Sequence, residues 1–317
     1  MVDVLLILDG ASESLPDHGA HTSLELARTP ALDRLAREGE LTRLRTVKAG
    51  LPAGSESAIP ALLGWIPSAP VDRGAIEAAA YEIDVPDGAR AWRVDLGAAS
   101  DTLVIAACGY EVHRLRGHRR LVVGPPPLTL GEACGASAWP EGIVPPRILG
   151  EDTVVIGARG AAIGIGRLMG AATVVPPGAT GLPSSDLAAE AAAALAAIDA
   201  GAARVIVHVG GPDEAAHLLD GPAKVASIER ADRGLVRPLA QAVLRAGGTL
   251  RVCPDHGCDP RTGAHTAAPV PCVTWSSSEF MLRHELDRAL APRRRLTERA
   301  VAGLPVAAPP IVVGAAA

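Results

Sequence analysis

Short apolar runs separated by helical stretches constrain the fold of this chain more than any other feature. The first run, Val4–Leu8, is continuously apolar and ends in Asp9-Gly10. Such a run is typical of a parallel strand, because helices bury both faces of a parallel sheet. Similar runs recur at 153–156, 172–176, 204–209, 249–253 and 270–275. Their alternation with helical stretches predicts a parallel α/β sheet.

Helical patterns fill the intervals between these runs. Thr29-Pro30 has the signature of a helix start, because proline is favoured in the first turn. An alanine-rich helix is predicted over Ser185–Asp199 and a further helix over Pro222–Ala246. The segment LPAGSES at 51–57 predicts a turn, with a helix over Ser57–Leu63 behind it.

The stretch 68–150 has a different texture, since it is rich in proline and arginine. Only two short strands are predicted there, at Leu103–Ala107 and Leu121–Val123. We therefore predict a small inserted α/β cap over 68–150. The remaining segments, 1–67 and 151–317, form the core.

Composition excludes several classes of function. The 317-residue chain has a net charge of −5 and only 2% aromatic residues, which disfavours binding to nucleic acid. No apolar run reaches the ~18 residues of a membrane span, and the N-terminus lacks a basic segment before its apolar run. A cytoplasmic protein without a membrane partner is expected. The five cysteines are irregularly spaced and read as reduced thiols. The C-x4-C pair of Cys253 and Cys258 does not have zinc-ribbon spacing, so no cysteine metal site is predicted.

Acidic and imidazole residues follow three of the predicted strands. Because parallel strands place their carboxyl ends at one edge of a sheet, these residues are expected to converge. A single such aspartate is usually a turn or helix-cap residue, but the joint pattern favours divalent metal, which removes the repulsion between carboxylates. The candidate ligands are Asp9, Asp213, His217, Asp255, His256 and His265.

Ser55 is the candidate nucleophile. It follows Gly54 just before the predicted helix, where backbone amides favour a phosphate. A metal would activate its hydroxyl without a histidine base. The alternative is that Ser55 only caps the helix.

Several motifs resemble the cofactor-independent phosphoglycerate mutases of the alkaline phosphatase superfamily, especially their shorter archaeal-type branch. The resemblance is carried by LLILDG, TSLELARTPALDRLAREG, PAGSESAIPALLGW, RGAIEA, VVIGARGAA, GATG, VHVGGPDEAAHLLDGPAKVASIERAD and PDHGCDPRTGAHTAAPVP, which start at positions 5, 22, 52, 73, 154, 178, 207 and 254. It covers both ends of the chain well and the middle poorly. It implies a three-layer α/β/α alkaline-phosphatase-like core with a small inserted α/β cap.

The resemblance also implies roles for individual residues. Asp9, Ser55, Asp255 and His256 would hold one metal, and Asp213, His217 and His265 the other. The ligand types suit Mn²⁺, Zn²⁺ or Co²⁺ better than Mg²⁺ at the histidine-rich site, although Mg²⁺ is a further candidate. Ser55 would become a phosphoserine, and the substrate would be a small phosphorylated carboxylate. The expected activity is the interconversion of 2- and 3-phosphoglycerate or of a close analogue.

Substrate contacts are assigned by the same resemblance. Arg159 would grip phosphate or carboxylate, Arg73 and Arg93 would contribute from the cap, and Lys224 would neutralise phosphoryl charge. For Lys224 a solvated position on a helix is an equal alternative. Asp72 and Asp95 are the candidates for the acid/base carboxylate.

The chain also departs from the family pattern. Ile59 stands where the family has a histidine, Ile66 stands where it has an aspartate, and the cap is short. A metal-dependent phosphatase or a phosphonate-metabolism relative without mutase activity is therefore the alternative function. A non-catalytic scaffold is a third, which the intact set of metal ligands disfavours. A second copy of the chain is a partner that the sequence leaves open.

Overall fold

A computed structural model describes residues 1–15, 20–97, 109–128, 136–278 and 294–309. The predicted strand at Leu103–Ala107 lies outside these residues. The strands are β1 (Val2–Leu8), β2 (Glu40–Leu44), β3 (Arg90–Leu96), β4 (Glu111–Arg114), β5 (Arg119–Gly124), β6 (Ala136–Ala138), β7 (Thr153–Gly157), β8 (Ala172–Val174), β9 (Arg204–Val209), β10 (Gly248–Cys253), β11 (Gly257–Cys258), β12 (His265–Thr266), β13 (Val270–Ser276) and β14 (Val306–Ala307).

The helices lie mainly between the strands of the central sheet. They are α1 (Ser23–Leu26), α2 (Pro30–Glu38), α3 (Ser55–Leu62), α4 (Arg73–Tyr81), α5 (Ala161–Met169), α6 (Leu187–Asp199), α7 (Gly211–His217), α8 (Gly221–Ala231), α9 (Arg237–Ala246) and α10 (Glu298–Val301). A π-helical turn over Asp232–Val236 joins α8 to α9, so the helix predicted over Pro222–Ala246 is interrupted. The interruption precedes Pro238, which has no N–H to donate to a regular helix.

The central sheet is mixed rather than wholly parallel. Its order is β14-β2-β13-β10-β1-β9-β7-β8. The five strands from β10 to β8 in this order are parallel, whereas β13 runs antiparallel to β10 and β2 antiparallel to β13. The expectation of a purely parallel sheet was therefore wrong at this end. Only the short β11–β12 ribbon separates β10 from β13, and without a crossover helix the chain returns antiparallel.

Side chains of β1 alternate between two apolar cores. Val4, Leu6 and Leu8 face the core covered by α2, α6, α8 and α9. Leu5 and Ile7 face the core covered by α3, α4 and α5. The sheet thus lies between two helical layers, which confirms the predicted α/β fold class. Among the described residues, no helix combines the length and apolar character needed to cross a bilayer.

The second sheet is antiparallel and has the order β4-β5-β3-β6. Trp92, Val94 and Val122 pack on one face of it. Leu121 packs on the other face with Ala78 of α4, while Ile76 of the same helix is buried in the central core. Helix α4 therefore connects the two packing units. The division of the chain at 68 and 150 into separate domains stays a prediction.

Candidate metal centre

The candidate ligands lie at the carboxyl edge of the central sheet, as expected from their positions in the sequence. Asp9 directly follows β1, and Asp255-His256 follow β10, which is paired with β1. Helix α7 follows β9 and carries Asp213 and His217, and His265 lies in β12. Their ligand atoms form two groups, within each of which all atoms lie within 4.8 Å of one another. We call Asp9, Asp255 and His256 the inner cluster, and Asp213, His217, Cys258 and His265 the outer cluster.

The inner cluster is buried, and its polar atoms converge. His256 Nε2 lies 3.4 Å from Asp9 Oδ1 and 3.5 Å from Asp255 Oδ2. Asp255 Oδ1 accepts hydrogen bonds from the backbone N–H groups of Gly10 and His256, which fix that carboxylate. Its other oxygen, Oδ2, is buried without a hydrogen-bond partner. One side of the carboxylate is therefore anchored and the other is left for a ligand.

The outer cluster is more open to solvent. Asp213 Oδ2 lies 3.1 Å from His217 Nε2, and Asp213 Oδ1 lies 3.2 Å from His265 Nε2. The two imidazole Nε2 atoms are 3.0 Å apart. Asp213 Oδ1 is nevertheless buried with no well-formed hydrogen bond. The side chain of His217 is 38% exposed, so solvent reaches this cluster from one side.

Backbone carbonyls orient two of the imidazoles. His265 Nδ1 lies 2.9 Å from Ala53 O, and His256 Nδ1 lies 3.2 Å from Gly257 O. Because a carbonyl only accepts, Nδ1 must donate in both cases, which leaves the Nε2 lone pair free in the neutral ring. This tautomer is the one that binds metal through Nε2 with a hydrogen-bonded second nitrogen.

The electrostatics of the clusters fit divalent cations. Burial, followed by the charges of Asp255 and Asp213, raises the pKa of Asp9 well above its ordinary value. Burial opposes ionisation of Asp213, but its contacts with His217 and His265 outweigh this and hold its pKa well below the usual range. Burial also opposes protonation of His265, yet Asp213 raises the pKa of His265 to about 9. The cluster thus takes up protons where a cation would otherwise supply positive charge.

Gly10 allows the two clusters to approach each other. It adopts a left-handed φ of +57°, which glycine accepts without strain. A Cβ at this position would clash with the Asp213 carboxylate. The turn after β1 therefore requires glycine both for its conformation and for the space that Asp213 occupies.

Ser55 lies at the inner cluster. It is the first residue of α3, so the helix begins two residues earlier than the sequence predicted. Its Oγ is 3.3 Å from Asp9 Oδ1 and 3.3 Å from His256 Nε2. The hydroxyl thus contacts two candidate metal ligands, and in the described structure α3 has no side-chain N-cap hydrogen bond. These contacts therefore do not support a role for Ser55 as a helix cap alone.

A buried network of charges lies beside Ser55. We call Glu56, Arg73, Glu77, Arg93 and Asp95 the arginine network. Arg73 contacts Glu56 at 3.3 Å and Glu77 at 3.1 Å, while Arg93 contacts Glu77 at 2.9 Å and Asp95 at 2.7 Å. Both guanidinium groups also lie over the ring of Trp139, at 5.6 and 5.4 Å from its centroid. Both predicted cap arginines are therefore already paired with carboxylates of the chain.

The candidate acid/base carboxylates have structural partners. Asp72 caps α4 by accepting the N–H of Ala75 at 3.0 Å. Burial tends to raise the pKa of Asp95, but hydrogen bonds from Trp139 and Arg93 prevail and lower it. A low pKa keeps Asp95 ionised at neutral pH, which is unsuited to donating a proton.

The other two predicted substrate residues contact different parts of the protein. Arg159 Nη1 lies 3.4 Å from both Ala80 O and a Glu82 carboxylate oxygen, at the end of α4. Lys224 is fully buried, with its Nζ 3.0 Å from Glu13 and 3.3 Å from Ser12 O. It also donates to Cys258 O at 2.5 Å. Lys224 therefore joins the loop after β1 to the β11–β12 ribbon, and it is not the solvated helix residue considered above.

Sequence reasoning missed three residues of the site. Cys258 belongs to the outer cluster, although its spacing from Cys253 gave no indication of a metal site. His208 lies in β9 with its Nε2 3.3 Å from Asp9 Oδ2. Glu56 pairs with Arg73. Proximity of Cys258 to His256 in the sequence was the one available signal, and the other two depend on contacts across the fold.

Comparisons with known proteins agree with this architecture. The family described as the metalloenzyme superfamily matches residues 1–291. A 2,3-bisphosphoglycerate-independent phosphoglycerate mutase of Methanothermobacter thermautotrophicus is 26% identical, with 86% of this chain and 88% of that protein covered. A probable 2,3-bisphosphoglycerate-independent phosphoglycerate mutase of Geobacter sulfurreducens is 28% identical, with 86% of this chain and 90% of that protein covered.

Solved structures give the same result for the fold. The PH0037 protein of Pyrococcus horikoshii superposes with a TM-score of 0.74 at 21% identity, covering 94% of this chain and 91% of that one. The cofactor-independent phosphoglycerate mutase of Thermoplasma acidophilum superposes with a TM-score of 0.59 at 16% identity, covering 96% of each chain. The predicted resemblance to archaeal-type phosphoglycerate mutases is confirmed. With most of its length matched, the chain belongs to the metalloenzyme superfamily.

Proposed function

We propose that the protein transfers a phosphoryl group through Ser55 and interconverts 2- and 3-phosphoglycerate or a close analogue. One observation carries the proposal. Ser55 Oγ lies 3.3 Å from both Asp9 Oδ1 and His256 Nε2, beside an anchored carboxylate whose second oxygen has no partner. Relatives that cover most of the chain are named phosphoglycerate mutases, which supports the choice of substrate.

Two divalent ions fit the residues present. Asp9, Ser55, Asp255 and His256 would hold one, and Asp213, His217 and His265 the other. When bound, the ions would offset the carboxylate charges and favour the ionised Ser55 hydroxyl and the transferring phosphoryl group. The ligand atoms are imidazole nitrogen and carboxylate oxygen, which suit Mn²⁺, Zn²⁺ or Co²⁺.

The chain's own residues hold the reacting groups. Asp9 and His256 fix the position of Ser55 Oγ, which forms a bond to phosphorus as the ester oxygen of the substrate leaves. The first turn of α3, whose backbone amides favour an anion, would face the transferred group. In the mutase reaction the other hydroxyl of the glycerate then takes the phosphoryl group back.

The inserted segment would complete the site. We assign 1–67 and 151–317 to the core and 68–150 to a cap that covers it. Arg73 is the cap residue with the clearest link to the clusters. Burial lowers its pKa, but Glu77, Glu56 and then Asp9 raise it, so its charge acts on the inner cluster. Arg73 would therefore steer a phosphorylated carboxylate to Ser55, with Arg93 behind it.

A second candidate function is a metal-dependent phosphatase. Two observations favour it. Ile59, which is fully buried, stands where the resembling family has a histidine, and both cap arginines are paired with internal carboxylates. A site that grips the dephosphorylated product weakly would release it and pass the phosphoryl group to water.

Product analysis separates the two functions. Metal-loaded protein is given 3-phosphoglycerate, and 2-phosphoglycerate and inorganic phosphate are both measured. The mutase predicts the isomer, and the phosphatase predicts inorganic phosphate with little isomer. Ser55→Ala should abolish either activity, whereas Ser57→Ala is the matched control, because Ser57 Oγ is buried without a hydrogen-bond partner. Turnover that survives Ser55→Ala, or no turnover by the metal-loaded protein, would overturn the proposal.

A further inference from the structure

Cys258 lies among the candidate metal ligands of the outer cluster. Its Sγ and the ligand atoms of Asp213, His217 and His265 all lie within 4.8 Å of one another. The side chain is fully buried, and the residue lies in β11, two positions after the candidate ligand His256. Neither the resemblance nor the sequence assigned it a function.

Local structure explains this convergence. Cys258 and His265 are directly opposite each other in the antiparallel β11–β12 pair, so their side chains share one face. Asp213 and His217 are four residues apart on α7 and share one face of that helix. The ribbon and the helix thus present four donors to one point.

The backbone of Cys258 is held in place. Its N–H donates to Ser12 O at 2.9 Å, and its carbonyl accepts from the buried Lys224 ammonium. The sulfur lies 3.7 Å from Gly263 O, and its S–H also contacts the Asp213 carboxylate. The main chain of this residue is therefore fixed, and its sulfur contacts a candidate ligand of the outer cluster.

A second observation points to a ligand at this place. Asp213 is 8% exposed, and its Oδ1 is buried without a hydrogen-bond partner. The surroundings of Cys258 differ from those of the other described cysteines. Cys253 and Cys272 are buried among apolar side chains of the sheet. A buried thiol is ordinarily a packing residue, as those two are, whereas Cys258 faces metal-binding atoms.

We propose that Cys258 Sγ is the fourth protein ligand of the outer metal, which gives that ion an Asp-His₂-Cys set. The inference rests on the proposed two-metal site and deepens it by naming the kind of metal. A thiolate favours Zn²⁺ or Co²⁺ over Mn²⁺ and Mg²⁺. On binding, the S–H proton leaves to solvent as the sulfur–metal bond forms. The inner cluster has no sulfur, so the two ions would differ in preference.

Cobalt titration tests the assignment directly. Wild-type protein, first stripped by a chelator, is titrated with Co²⁺ while bound metal is counted by elemental analysis. A thiolate-to-cobalt charge-transfer band in the near ultraviolet is expected, saturating at one thiolate per chain. The band should be lost in Cys258→Ser and kept in Cys272→Ala, which removes another buried thiol. The preference of the outer cluster for Zn²⁺ over Mn²⁺ should fall at least about tenfold in Cys258→Ser.

Zinc-edge X-ray absorption on the wild-type protein makes the test independent of how the variant folds. One sulfur at about 2.3 Å per two zinc ions is expected. Two bound ions with only nitrogen and oxygen neighbours would overturn the role of Cys258 and leave the proposed function standing. A band that persists in Cys258→Ser would also overturn it. Failure to bind either metal would overturn both proposals.

Discussion

The two clusters at the sheet edge and the arginine network lie side by side but satisfy their charges differently. Within the clusters, Asp213 Oδ1 and Asp255 Oδ2 are buried without hydrogen-bond partners. In the network, Glu56, Glu77 and Asp95 each contact a guanidinium group of the chain. The network brings its own cations, whereas the clusters leave space and charge for cations from outside. This contrast supports the proposal that metal ions bind at the clusters and that the network positions the substrate.

Removing metal is expected to have the largest effect. Free Zn²⁺ at a thousandfold its Kd should stabilise the fold by about 4 kcal/mol. For a chain of this size that corresponds to a rise in melting temperature of roughly 10 °C. Thermal unfolding with Zn²⁺ and with a chelator measures it. Equal melting temperatures would show that the clusters do not differ from the network in the way described.

Glu77→Gln should damage the network almost as strongly. The Glu77 carboxylate contacts both Arg73 and Arg93. When it is neutralised, both guanidinium groups stay buried but lose one of their charged partners. Breaking a buried pair from one side costs about 3 kcal/mol. Chemical denaturation measures the loss, which should appear with and without metal.

Glu82→Gln is the matched control for this change. Glu82 also contacts two arginines, Arg159 at 3.4 Å and Arg167 at 3.2 Å, but its side chain is 62% exposed. Exposed pairs contribute less than about 1 kcal/mol. If Glu82→Gln lowered the free energy of unfolding as much as Glu77→Gln, burial would not be what makes the Glu77 pairs important.

Asp9→Asn should change the stability of the metal-free protein by a smaller amount and in the opposite direction. Burial and the charges of Asp255 and Asp213 raise the pKa of Asp9, so its ionised form is disfavoured in the fold. Removing that charge should stabilise the chelated protein, by less than Glu77→Gln destabilises it. A raised carboxyl pKa destabilises the fold above the pKa of the unfolded chain, so the gain should be present at neutral pH. It should fade as the pH falls through the folded pKa of Asp9. The gain from added metal should shrink in the same variant, and a loss of stability without metal would contradict the account.

Asp3→Asn is expected to have the smallest effect on stability. Asp3 lies at the other end of β1 and pairs with Arg204 at 3.3 Å at a partly exposed position. Its loss should cost less than about 1 kcal/mol and leave metal binding unchanged. Metal binding weakened equally in Asp3→Asn and Asp9→Asn would show that the effect is not local to the cluster.

The same contrast explains what could be predicted from the sequence. Asp9 and Asp255-His256 were predictable because each follows an apolar strand, and parallel strands end at one edge. Asp213 and His217 were predictable from their helical spacing. Cys258 was not, because its place opposite His265 depends on the register of a ribbon only two residues long on each side. No pattern in the chain encodes that register.

The network was unpredictable for a related reason. Its members come from α3, α4 and β3, which are brought together only by the tertiary structure. The second sheet is itself hard to predict, because its strand β6, Ala136–Ala138, has no apolar alternation in the sequence. Arg73 and Arg93 were predicted as substrate residues, but their pairing with Glu77 could be seen only in the folded chain.

Trapping the phosphorylated enzyme tests the central claim most directly. Metal-loaded protein is mixed with 3-phosphoglycerate, quenched in acid, digested and examined by mass spectrometry. We predict one phosphoryl group on Ser55, absent after chelation and absent in Asp255→Asn. Product formation with Ser55 unmodified at every quench time, or a phosphoryl group on another residue, would contradict the account.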